Sequence, residues 1–263
     1  MGVERLVLWV ESQSTSLIAV ITFGFCYASA VFIFVLSRAA ASRRFAAELK
    51  ATTPVMLTPL AVILGLLIAF VASHVWDNVD HANAYVRNEA DAIQTALVFA
   101  DAFPSSTRTE VRNALRNHLQ FTKAEDWPAM MEGHANAQAL PQALSEAMTS
   151  VLSFVPAVAG QEIAQRQAAQ AIRRALDARR NRITLSGASI MPMQWVVIAI
   201  LAALMLLTIA MVHLDKPLAL AVNLFSLSTA VAVCFVLLLT NDRPFSTGGN
   251  AVEPSALTQL VID

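Results

Sequence analysis

His74 and His81 lie seven residues apart, two turns of a helix, with Asp77 between them and Asp80 adjacent. Imidazole nitrogens and carboxylate oxygens gathered on one helix face can hold a divalent cation. No HExxH-type spacing accompanies them, and hydrated side chains at a membrane interface account for the same residues, so no metal site is assigned. Arg108, Arg112 and Arg116 form a basic stripe at i, i+4, i+8. Such a stripe reads first as a solvated face pairing with neighbouring acids, and second as a contact for anionic lipid or a permeating anion. His213 stands at the end of an apolar run, where its polar tip can reach lipid headgroups. Asn223, the strongly polar amide within the last apolar run, is expected to hydrogen-bond another helix. Cys26 and Cys234 each sit inside an apolar run and read as packing residues, with no disulfide framework or thiolate site. A Gly-rich phosphate loop, a nucleophile elbow and a transmembrane acid suited to proton coupling are all missing from the sequence. No catalytic role and no cofactor are therefore expected.

The elements that must position these residues are membrane helices. Of the 263 residues, 56% are hydrophobic and 14% are charged, with a mean hydropathy of +0.57. Soluble domains carry about 25% charged residues, so the composition points to a multi-pass membrane protein. The net charge of −1 implies no nucleic-acid partner. Four apolar runs are long enough to span a bilayer: residues 17–36, 55–73, 195–212 and 218–240. The first has a competing reading as a signal peptide, through Ala39-Ala40-Ala41, but it is longer than an h-region of about 7–15 residues. Residues 213–217 are too few to do more than join the last two spans as an antiparallel hairpin. The expected organisation is spans one and two with their N-terminal segment (1–73), a helical extramembrane region (74–193), spans three and four (194–240) and a tail (241–263). An even number of spans puts both ends and the middle region on one side. Charge leaves that side open, because the first loop is dense in Arg (Arg38, Arg43, Arg44) while Arg179, Arg180 and Arg182 closely precede the third span.

The fold class is all-α. From Val55 to Ala102 no break is expected: Val75, Val79, Val86, Ala90, Ile93 and Leu97 continue an apolar stripe beyond the second span. Such a helix would be about 70 Å long, roughly twice the hydrocarbon thickness. Pro104 ends it, Thr107 and Glu110 suggest a capping box for the next helix, and Pro128 to Pro141 reads as a loop. Further helices are expected over 142–154 and 160–182. Residues 74–101 hold Asp77, Asp80, Glu89, Asp91 and Asp101 against Arg87 alone. Residues 160–182 hold six Arg against Glu162 and Asp177, so the two helices are expected to pack antiparallel. The second span itself has two faces. At 100° per residue Ala61, Gly65, Ala69 and Ala72 gather within about 80°, a small-residue face suited to close helix packing on the first or fourth span. Ile63, Leu67 and Phe70 lie opposite, facing lipid or the apolar neck of a pore.

Several stretches together resemble the bestrophin-like domain family of mostly bacterial membrane proteins. They are Asn88-Glu89-Ala90, Asp126-Trp127-Pro128, Arg179-Arg180-Asn181-Arg182 and Asn241-Asp242-Arg243-Pro244-Phe245. The resemblance implies a pentameric anion channel with four spans per subunit. It further implies a second span lining the pore through Ile63, Leu67 and Phe70, and a cytoplasmic middle region. Where bestrophins carry a calcium-binding acidic run after Pro-Phe, this chain has Ser246-Thr247-Gly248-Gly249-Asn250, so calcium gating is not implied. The expected protein is an oligomeric ion channel of a bacterial inner membrane, with lipid, inorganic ions and copies of itself as partners. The alternative is a non-conducting scaffold or regulatory protein that binds a partner through its helical region.

Overall fold

The computed structural model describes residues 13–41, 54–139, 141–246 and 251–260. The N-terminal charges Arg5, Glu4 and Glu11, the loop residues Arg43, Arg44 and Lys50, and residues 247–250 lie outside them. The described residues are predominantly helical, with no strand among them. In order the helices are α1 (Thr15–Ala41), α2 (Leu57–Ala100), α3 (Ser105–Phe121), α4 (Trp127–Met131), α5 (Gln142–Ser153), α6 (Ala159–Ser186), α7 (Pro192–Val212), α8 (Pro217–Asn241) and the short α9 (Ser255–Thr258). Four of them, α1, α2, α7 and α8, are long and apolar enough to cross a membrane. A helix satisfies its own backbone hydrogen bonds, the condition for spanning hydrocarbon. Pro192 and Pro217 open α7 and α8 at positions where a missing N–H costs nothing. Pro59 is tolerated in the first turn of α2 for the same reason.

The chain divides into two compact units. The described residues of one are 13–41, 54–77 and 189–243. Its core is apolar: Leu64, Val71 and Val75 of α2 with Cys26, Trp195, Ile198, Val231 and Leu238. Trp195 meets Phe235 edge-on at 5.5 Å. Tyr27 of α1 donates to the Thr229 hydroxyl of α8 at 3.0 Å, because Thr229 itself donates to the Phe225 carbonyl. Asp242, fully buried at the end of α8, accepts the Ile190 N–H just ahead of α7 at 2.8 Å. Asn223 departs from expectation: its amide donates to the Ala219 carbonyl of its own helix at 2.8 Å, and the residue is exposed.

The described residues of the other unit are 78–139, 141–188, 244–246 and 251–260. Ala82, Val86, Ile93 and Ala96 of α2 pack with Val111 and Leu115 of α3, Leu144 and Val151 of α5, and Ala168, Ile172 and Ala175 of α6. Alanine at three- and four-residue spacings along α6 lets its backbone approach its neighbours closely. The capping box predicted at Thr107 and Glu110 does not form, since α3 starts two residues earlier at Ser105 with Pro104 in the cap position. Arg108 instead reaches back to the carbonyls of Asp101 and Phe103 at the exit of α2, at 2.7 and 3.1 Å. The expected loop also begins later, because Pro128 lies inside α4. Helix α3 passes into α4 through a π turn at Thr122–Asp126, where the Trp127 N–H donates to the Thr122 carbonyl. Pro128 has no N–H to give, and one extra residue in the turn accommodates it. The register shift turns Asp126, Trp127 and Met130 inward. Gly133, at φ 74°, then ends α4: His134 and Gly133 donate back to Ala129 and Met130 in a Schellman motif.

Candidate functional site

Within the second unit four of the charged residues singled out in sequence, Glu89, Asp126, Arg179 and Arg182, converge on one buried cluster. Glu89 on α2 is fully buried and accepts from Arg182 on α6, with Nε to Oε2 at 2.8 Å and the second nitrogen to Oε1 at 3.3 Å. Asp126, at the end of the π turn, takes a bidentate fork from Arg179 at 2.6 and 2.8 Å. Arg182 also lies 3.8 Å from Asp126 and 5.3 Å over the Trp127 ring, and donates to the Met130 sulfur. Arg179 and Arg182 sit three residues apart on one face of α6, which is why one helix serves both carboxylates. Two acids against two guanidiniums leave the cluster neutral, the condition for keeping charge away from water. Burial alone would raise the Glu89 carboxyl, but the Arg182 guanidinium and the His118 hydrogen bond outweigh it and hold it below its ordinary value.

His118 is the member that sequence reasoning missed. Its Nε2 stands 2.9 Å from Glu89 Oε1 in a fully buried contact, and its Nδ1 has no hydrogen-bond partner. A bare lone pair at Nδ1 costs less than an unpaired N–H, so the network assigns the proton to Nε2, donating to Glu89. The available signal was its place on the buried face of α3, three residues past Leu115.

The remaining residues take simpler roles. Asn88 and Arg180 flank the cluster on exposed faces. Arg112 pairs with Asp101 at 3.0 Å and Arg116 bonds Asn113, so the basic stripe is a solvated face with local partners. The predicted antiparallel match of α2 and α6 is made by Glu89 with Arg182 and by Gln161 with the Ala102 carbonyl, while the other acids of α2 stay exposed. His74 and His81 are exposed, His81 stacks on Tyr85, and no metal-holding cluster exists among the described residues. Cys26 is buried and Cys234 partly buried, both as free thiols.

In the first unit α2 buries an arc centred on Leu64, Val71 and Val75. Ile63 is 52% exposed and Phe70 71% exposed, while Leu67 is half-buried against the core. Val62 and Leu66, not singled out in sequence, are exposed on the same side as Phe70. Ala61 is half-buried, Gly65 and Ala69 are exposed, and a Cβ built at Gly65 would meet nothing within 4 Å. The helix thus seats Leu64, Val71 and Val75 on its own unit and leaves Gly65 and Ala69 on one flank, and Ile63, Leu66 and Phe70 on the other, exposed.

Past α8, Pro244 and Phe245 belong to the second unit. Phe245 is buried edge-on against Trp127 at 5.5 Å, and the Pro244 carbonyl accepts the Val252 N–H at 2.7 Å. Arg243 is half-buried. All four motif stretches are therefore placed, and a family model for the bestrophin-like domain matches residues 24–257. The chain belongs to the bestrophin-like family. Its fold is shared with two substituted forms of a bacterial bestrophin homologue from Klebsiella pneumoniae. One has a TM-score of 0.70 at 12% identity, covering 89% of this chain and 94% of that one. The other has a TM-score of 0.69 at 11% identity, covering 89% and 93%. A structure described as a membrane protein gives 0.68 at 12%, covering 89% and 93%. At such identities the likeness is one of fold. No curated protein matches in sequence. Family and apolar helices together make the bestrophin-like chain an integral membrane protein.

Proposed function

We propose that this bestrophin-like chain is the subunit of an oligomeric ion channel, selective for anions, in a bacterial inner membrane. The observation that supports this reading is the uncovered apolar flank of α2. Ile63 and Phe70 are turned away from the subunit's own core, with Val62 and Leu66 beside them. In a ring of copies, Gly65 and Ala69 on the other flank would let neighbouring α2 helices approach closely, with Ala61 at the same flank. The bulky flank then faces the axis as a neck that gates by dewetting, with Leu67 at its buried edge. The second unit stands outside the bilayer on the cytoplasmic side, its neutral ion-pair cluster fixing the end of α2.

Recordings from purified protein in planar bilayers test this. The expected result is an anion-selective conductance that rises several-fold when Ile63, Leu67 and Phe70 are all cut to Ala, because smaller side chains let water fill the neck. Absence of conductance returns the chain to the scaffold reading. A conductance unchanged in the triple variant removes the neck from these residues.

A further inference from the structure

We propose that the first unit holds a membrane phospholipid by its acyl chains, in a groove formed by α1, α7 and α8. The groove has a volume of about 850 Å³. Cys26 and Ile33 of α1, Leu206 of α7 and Val231 of α8 are its buried members. Phe25, Phe32 and Leu36 of α1 and Ile200 of α7, each at least half exposed, form its rims. The space exists because the residues between them are small. Ala28 and Ser29 on α1 and Ala199, Ala202 and Ala203 on α7 leave open what larger side chains would fill. No charged residue lines the groove, and the Ser29 hydroxyl already donates to the Phe25 carbonyl. What it can recognise is therefore a hydrocarbon chain rather than a headgroup. All three helices are long and apolar enough to cross a membrane, so lipid tails are what surrounds it. Its dimensions decide between a chain and a neighbouring helix. Phe25 to Leu36, and Val196 to Leu207, each cover about 17 Å of helix at 1.5 Å per residue. The mean cross-section is then about 50 Å². A helix with its side chains is about 10–12 Å across, roughly 80–110 Å², and does not fit. Extended acyl chains, unbranched and flexible, do. Tails are as apolar as the walls, so they are retained by van der Waals contact on several sides at once, which a flat helix face does not offer.

Native mass spectrometry of the full-length protein, after exchange into a detergent that removes loosely held lipid, tests this. Each subunit is expected to keep a phospholipid adduct. Ala203→Phe on α7 and, separately, Ala28→Phe on α1 fill the groove from its two walls, and each should lose the adduct. Val233→Phe, at an exposed position of α8 outside the groove, should keep it. Both groove variants should hold the thermal midpoint of the lipid-free protein unchanged or raised, because the added rings have room. An adduct absent from the unsubstituted protein, kept in either groove variant, or lost equally from Val233→Phe overturns the proposal. So does an adduct that is not a phospholipid. A midpoint lowered in both groove variants would also overturn it, since the space would then not exist. A subunit number that falls in those variants would give the groove to a neighbouring copy instead. The readout is retained lipid rather than conductance, so the groove and the channel reading fail separately.

Discussion

Among the described residues Arg182 is the largest side chain wholly shielded from solvent, and its environment leaves it no substitute partner. Glu89, Asp126, Trp127 and Met130 occupy its surroundings, and each is fixed by another element. Removing one member of a buried pair strands the other, a loss of about 3–5 kcal/mol. Glu89→Gln and Asp126→Asn are each expected to lower the thermal midpoint of the detergent-solubilised protein sharply, whereas Arg180→Gln, on the exposed face, should leave it within error. The direction of the Glu89 shift sets a pH dependence. A carboxyl held below its unfolded value contributes stability that is complete above the ordinary carboxylate range, about pH 4–4.5, and is lost as pH falls through its lower folded value. Unfolding midpoints measured from pH 7 downward should therefore fall steeply only below that range, and Glu89→Gln should flatten that part of the curve.

At the scale of elements the π turn decides which residues of α4 enter the core. A continuous α-helical register from His118 and Thr122 would bring Glu125 and Ala129 inward; the extra residue brings Asp126, Trp127 and Met130 instead. Deleting the exposed Ala124 is expected to restore α-helical register and turn all three away together. The midpoint should then fall further than for Asp126→Asn alone. Helix α2 makes the opposite point. Its length of 44 residues follows from the absence of interior Gly or Pro past Gly65, and the expected 55–102 segment is found at Leu57–Ala100. Its packing face was less legible. Wheel geometry separates small from bulky residues but cannot say which arc the chain itself will cover. The covered arc lies between the two, at Leu64, Val71 and Val75.

For the whole molecule, assembly and orientation are the proposals to measure. Gly65→Leu adds bulk where the subunit itself offers nothing within reach, so its own fold should survive. If Gly65 meets a neighbouring copy, native mass measurement should show the homo-oligomer, a pentamer by family resemblance, giving way to smaller species. For orientation, a cysteine placed at the exposed Glu146, with Cys26 and Cys234 replaced by Ala, should resist impermeant thiol reagents in intact cells. It should react once the membrane is opened. Asp126 would be a poor reporter, since its carboxylate is locked to Arg179 and shielded from any reagent.

The sequence by itself determined the helical class, the four spans and the family. These rest on local quantities: uninterrupted apolar length, helical periodicity and short motifs read along the chain. The spatial roles of the motifs were not local. Asn88 and Glu89 are neighbours in sequence, yet one is exposed and the other lies at the centre of the buried cluster. Arg180 and Arg182 divide in the same way. His118 carried no motif, and nothing in residues 122–126 marked the π turn that precedes Pro128. Only the tertiary structure could bring residues 89, 118, 126 and 182 within hydrogen-bond reach. A buried charge is tolerated only where several distant segments deliver its partners to one point, and no single stretch of sequence contains that information.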